Sequence, residues 1–159
     1  MNGQDFLDHY QGTNDPVTRI DPTVDYAIKT PTEHPIYENR DVHRFKNALE
    51  SSQSDINDTL LGDLMRAAHQ RYSRCGLGTE QTDALVDLVY EYGLDHGLIG
   101  AKITGGGSGG TVAVLGHTRA ADTIGQLLDE FAARYGYSPT CFEGSSDGAM
   151  HRPVVVTRI

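Results

Sequence analysis

Five glycines and one serine occupy six consecutive positions, Gly105 to Gly110, within the stretch GAKITGGGSGGTVAVLG of residues 100–116. Glycine loses more backbone freedom on folding than any other residue. A cluster with ordered flanks therefore marks a place where the chain adopts left-handed angles or approaches something more closely than a Cβ permits. The flanks read as strands. Ile99, Ala101 and Ile103 alternate, and Thr111 to Leu115 is a continuous apolar run suited to a strand covered on both faces. Together they predict a hairpin whose connection is the glycine loop.

Context separates the mechanisms that use such a loop. Gly105, Gly107 and Gly110 satisfy G-x-G-x-x-G, but the dinucleotide fingerprint needs a helix to start there, and TVAVL reads as a strand. A Walker-type loop needs Lys-Ser/Thr after its last glycine; here Thr111-Val112 follows, and Lys102 lies upstream in the strand. Two readings stay open on residue types alone. One is a bare hairpin tip, and the other is a loop whose N–H groups approach a phosphate or another glycine-rich element.

The rest of the chain alternates helical stripes and turns. Residues 1–34 hold Pro16, Pro22 and Pro31, which predicts a mostly extended lead-in with a short helix over Asp5 to Tyr10 and an edge strand over Val24 to Ile28. A helix is expected from Pro35 to Leu49, with Ile36, Val42, Phe45 and Leu49 as its apolar stripe. Asp55 is read as the cap of a second, carrying Leu61, Leu64, Met65, Ala68 and Tyr72 and stopping near Cys75-Gly76. Thr79 starts a third, with Leu85, Leu88, Val89 and Tyr92 on one side, ending by Gly97. After the hairpin, Thr118 caps a helix with Ile124, Leu127, Leu128, Phe131 and Tyr135 that stops at Gly136, and two strands follow near Thr140–Glu143 and Pro153–Arg158. The order of helices and then ββαββ predicts an α+β fold: a largely antiparallel, ferredoxin-like sheet with helices packed on one face, forming a single domain over residues 1–159.

Composition excludes several functions. Lys and Arg number 13 against 22 Asp and Glu, a net charge of −9 with no basic run, which disfavours nucleic acid or an anionic membrane as the partner. Cys75 and Cys141 form no CxxC pattern, which suits a reducing cytoplasm rather than a disulfide or zinc scaffold. No run approaches the roughly 18 apolar residues of a membrane span. His69 shares a helical face with Met65 and Tyr72 and has no metal-ligand spacing around it, so it reads as structural. Cys75, with no base near it in sequence, is assigned a packing role.

The segment Ala101 to Thr111, AKITGGGSGGT, resembles the third signature motif of the GHMP kinases, the superfamily of galactokinase, homoserine kinase and mevalonate kinase. Leu64-Met65 with His69, Leu85-Val86, and Asp147-Gly148-Ala149 resemble the second half of galactokinases in order and spacing. A nearer likeness, to L-arabinokinase-like sugar kinases, rests on Asn14-Asp15-Pro16-Val17-Thr18, His34-Pro35-Ile36-Tyr37-Glu38-Asn39, Cys75-Gly76-Leu77-Gly78 and Phe142-Glu143-Gly144-Ser145-Ser146. Ser108 also fits that branch, where galactokinases usually carry an aromatic residue.

The resemblance implies a sugar 1-kinase that uses ATP and magnesium, with two lobes and a cleft between them, of which this chain is the second lobe. The substrate motif, the phosphate loop and the aspartate that deprotonates or orients the acceptor hydroxyl belong to the first lobe, so no catalytic residue is expected here, and this chain alone is expected to be inactive. Gly105, Gly106, Gly107, Ser108, Gly109 and Gly110 are implied to lie near the nucleotide and phosphate loop, and Tyr72, Arg74 and Gly76 are candidates for the sugar side. The expected partners are the N-terminal kinase lobe, the monosaccharide and ATP, with a homodimer through the interlobe face as a further expectation. A reading from a different class is a stand-alone binding or regulatory module that docks on such a partner.

Overall fold

The structure is a computed structural model that describes residues 1–51, 57–105 and 110–144. Five α-helices and one antiparallel hairpin make up the described part. They run α1 (Gly3–Tyr10), α2 (Lys29–Glu50), α3 (Asp58–Arg74), α4 (Glu80–Tyr92), β1 (Leu98–Ile103), β2 (Val112–Gly116) and α5 (Ala121–Tyr135). The α+β class with an antiparallel sheet is as expected. The strand expected over Pro153–Arg158 lies outside the described residues. The one expected over Thr140–Glu143 does not form, and Phe142 there is 87% exposed. A strand needs a ladder partner, and among the described residues that segment has none.

Local signals explain most element ends. Thr79 caps α4 with a capping box, accepting from Thr82 N–H while the Thr82 hydroxyl accepts from Thr79 N–H. The cap of α3 is Asn57, whose side chain accepts from Leu60 N–H, rather than Asp55, which lies outside the described residues. At its other end α3 closes in a Schellman turn. Gly76 takes φ +73°, Gly76 N–H donates to Ser73 O, and Leu77 N–H donates to Tyr72 O. Gly136 ends α5 in the same left-handed region. Thr118 does not cap α5; it opens a short 3-10 turn, Thr118–Ala120, that leads into the helix with no side-chain cap.

Three expectations about the first fifty residues change. The helix α2 begins at Lys29, so Pro31 rather than Pro35 occupies the first turn, where a missing N–H costs nothing. The edge strand over Val24–Ile28 shrinks to one bridge between Asn2 and Asp25. The apolar stripe of α2 is mostly in solvent, with Ile36, Val42 and Leu49 exposed, whereas the residue α2 buries is Asp41. Charge pairing to α3, described below, turns that face inward.

The hairpin is central on one side and open on the other. β1 is buried along nearly its whole length, under α3 and α4, with Leu98 and Ala101 packed among Val86, Leu88, Val89, Leu127 and Phe131. Burial of such a cluster is the main favourable term, about 1.5–3 kcal/mol for each large apolar side chain. β2 is the edge, and Ala113 and Val114 are exposed. The two strands therefore exchange the roles expected of them, because helices cover β1 and not β2. Ile99 is an extra residue in the ladder, a bulge between the pairs Leu98–Gly116 and Gly100–Leu115.

Glycine decides how close α3 comes to β1. A Cβ on Gly62 would stand 2.2 Å from the Ile99 carbonyl oxygen, and one on Gly100 would stand 2.9 Å from Gly62 Cα. Helix and strand thus touch backbone to backbone. The Tyr90 hydroxyl locks the contact, donating to Gly62 O at 2.8 Å and accepting from Ala101 N–H at 3.2 Å.

Candidate functional site

The glycine loop leaves β1 after Ile103, and the ladder continues to its mouth, where Thr104 N–H donates to Thr111 O at 3.0 Å. Gly105 and Gly110 flank the loop with φ of +76° and +110°, both left-handed, and a Cβ added to either would meet nothing within 4 Å. These two glycines are required by backbone angle rather than by crowding within this chain. Gly106, Gly107, Ser108 and Gly109 lie outside the described residues.

The loop's root is held by side chains of α3. His69, 6% exposed, accepts the Ile103 N–H on Nδ1 at 3.3 Å and places Nε2 3.2 Å from Asp83 Oδ1. With Nδ1 accepting, the imidazole is neutral and its proton is on Nε2, directed at Asp83. Burial holds its pKa below the ordinary histidine value and outweighs the opposing pull of the Asp83 and Asp87 charges, with Lys102 adding to the depression. Asp83 also accepts from Ser73 Oγ at 3.2 Å. A Cβ on Gly78 would come within 2.8 Å of the Asp83 carboxylate, which accounts for the second glycine of the Cys75–Gly78 turn.

One turn further along α3, the Tyr72 hydroxyl donates to Gly105 O at 3.3 Å. The Tyr72 ring has Lys102 Nζ 5.3 Å from its centroid and the His34 ring roughly perpendicular to it, centroid to centroid 4.8 Å. From Lys102 an ion-pair chain runs back to α2. Lys102 Nζ lies 3.1 Å from Glu38 Oε1, and Arg71 Nη2 lies 3.3 Å from Glu38 Oε2 and 2.9 Å from Asp41 Oδ2. Asp41, 4% exposed, also accepts from Arg40 and Arg44. Hydrogen bonding from Arg40 is the largest influence holding its carboxyl below the ordinary aspartate value, against the cost of burial.

The structure brings Tyr72 to Gly105 at the start of the loop. Arg74 is exposed on the α2 side, and Gly76 is exposed in the turn after α3. The sequence reading missed Lys102, Glu38, Arg71 and Asp41 as a connected set. A lysine inside an apolar strand just before the loop was the available sign. Among the described residues, no three His, Cys, Asp or Glu side chains are grouped to hold a metal ion, and no helix is long and apolar enough to cross a membrane.

The family described as "GHMP kinases C terminal" matches residues 38–134, from Glu38 through both strands to the last turn of α5. The chain is 46% identical to L-arabinokinase of Arabidopsis thaliana over 159 aligned residues, covering 94% of this chain and 15% of that protein. It is 32% identical to galactokinase of Thermosipho africanus, covering 73% of this chain and 32% of that one. It is 33% identical to galactokinase of Clostridium beijerinckii, covering 73% and 29%. The chain thus spans between 15% and 32% of the length of these relatives.

Proposed function

Because this chain belongs to the C-terminal family of the GHMP kinases, we propose that it is the second lobe of a sugar 1-kinase, which transfers the terminal phosphoryl group of ATP to the anomeric hydroxyl of a monosaccharide such as L-arabinose or galactose. The observation that carries this reading is the likeness to L-arabinokinase over 94% of the chain. The geometry supports it with a glycine loop rooted on a buried strand and anchored at Ile103 and Gly105 by His69 and Tyr72.

Phosphoryl transfer depends mainly on positioning and charge stabilisation, so a rooted turn whose one side chain is the small Ser108 contributes by shaping the space around the nucleotide. The six positions from Gly105 to Gly110 take that role, with Tyr72 at the root and Arg74 and Gly76 toward the sugar. The general base and the ligands of magnesium are assigned to a first lobe on the likeness to two-lobe sugar kinases. Residues 1–159 act as one domain, inactive by itself, in the cytoplasm. Self-association is part of the same proposal, with Ile36, Val42 and Leu49 of α2 and Val114 of β2 exposed to solvent.

The test is to mix this chain with a separately produced first lobe and follow ADP release with and without L-arabinose or galactose. Sugar-dependent release in the mixture, and none from either piece, is expected. Release by this chain alone, or none in a mixture shown to form a complex, contradicts the proposal.

A further inference from the structure

We propose a phosphate-monoester site in the cavity between the first half of α2 and the end of α3. The cavity measures about 280 Å3 and is lined by Arg40, Arg71 and Arg74 together with His34 and Glu33. Among the described residues, two side-chain nitrogens are buried without a hydrogen-bond partner. They are Arg71 Nε and His34 Nδ1, and both belong to residues lining this cavity.

Charge agrees with that reading. The ion pairs around the cavity link Lys29, Arg40, Arg44, Arg71 and Lys102 to Glu33, Glu38 and Asp41. Arg74 adds a cation that has no carboxylate partner among the described residues. The cluster carries an excess of cations in a chain whose net charge is −9. Among the described residues Glu33 is the one carboxylate lining the cavity, and Lys29 stands 3.8 Å from it. Arg40 is already oriented, with Nε and Nη2 on Asp41 and its guanidinium 5.0 Å from the Tyr37 ring centroid, which leaves Nη1 for a ligand.

Planar guanidinium forks converging with an imidazole suit a doubly charged tetrahedral oxyanion, and the volume leaves room for a small organic group beyond it. The Tyr72 ring packs against His34 of this cavity, and its hydroxyl donates to Gly105 O at the start of the loop. The site shares Arg74 with the sugar side proposed above, and its test, phosphate binding by this chain alone, is distinct from the lobe-mixing experiment.

The whole chain is titrated by calorimetry at constant ionic strength with inorganic phosphate, galactose 1-phosphate and galactose. Saturable binding of the two phosphates and none of galactose is expected. Equal affinity for both identifies the free ion as sufficient, and tighter binding of the ester identifies a contribution from its organic part; either supports the site. Arg74→Ala and Arg40→Ala each weaken binding by at least about tenfold, whereas Lys46→Ala, on the exposed part of α2, leaves it unchanged. Thermal unfolding without ligand confirms that each variant folds. Arg71 is left intact because it ties α2 to α3. Absence of saturable phosphate binding, or folded Arg74→Ala and Arg40→Ala variants that bind as the parent does, overturns the proposal.

Discussion

Replacing His69 with alanine removes the acceptor for the Ile103 N–H at the point where β1 passes into the glycine loop. The orphaned buried donor costs about 1–3 kcal/mol, and with lost packing of a ring 6% exposed the total is expected at about 2–4 kcal/mol. His69→Asn restores an oxygen near the position of Nδ1 and is expected to recover about half of that loss. The histidine also carries a pH signature. Its folded pKa is depressed by burial, so the unfolded chain binds a proton at this side chain at a pH where the folded chain does not. Its contribution to stability is therefore constant above the ordinary histidine value of about 6.5 and falls as pH drops below it, until the folded form protonates too. Urea unfolding of the parent, His69→Ala and His69→Asn across pH 5–8 tests both points. A loss under about 1 kcal/mol for His69→Ala, or an unchanged slope between about pH 5 and 6.5 in His69→Asn, refutes the reasoning.

Three other outcomes follow from the packing. Gly62→Ala forces a methyl group to within 2.2 Å of Ile99 O, and α3 can move only by shifting β1, so a loss of about 3 kcal/mol or more in denaturant unfolding is expected. Asp41→Ala leaves Arg71 with Glu38 as its remaining carboxylate, and a cost of about 3 kcal/mol is expected. Because the Asp41 pKa is lowered in the folded chain, its contribution is present above the ordinary aspartate value and lost as pH falls through the folded value, so the variant shows a shallower acid limb. Sedimentation velocity over a range of concentrations should show reversible self-association; a single monomeric species throughout counts against the exposed face of α2 and β2 as a sticky surface.

Features that depend on near neighbours in sequence were legible. The change from helical to alternating period before Ile99, the caps at Thr79 and Gly136, and the glycine connection between two strands are local chemistry, and the structure contains each of them. The covering of strands was not legible, because an apolar run such as Thr111–Leu115 reads alike whether helices lie on it or solvent does, and here β2 is the edge. The inward face of α2 was misread because a charged residue, Asp41, is what it buries, and only the three-dimensional meeting with Arg71 makes that favourable. The site followed the same division. Tyr72 was read as a sugar-side candidate and its contact with Gly105 O was not foreseen, and the chain from Lys102 through Glu38 and Arg71 to Asp41 joins positions as much as 64 residues apart, which no spacing rule connects.

The claim at the centre of this account is that the bare turn between β1 and β2 serves the nucleotide side of a two-lobe kinase without supplying reacting groups. Gly107→Val tests it most directly, measured as sugar-dependent ADP release after mixing with a first lobe, alongside the unfolding midpoint of the variant. The account predicts loss of turnover with a nearly unchanged midpoint. Full turnover with valine in the turn contradicts it.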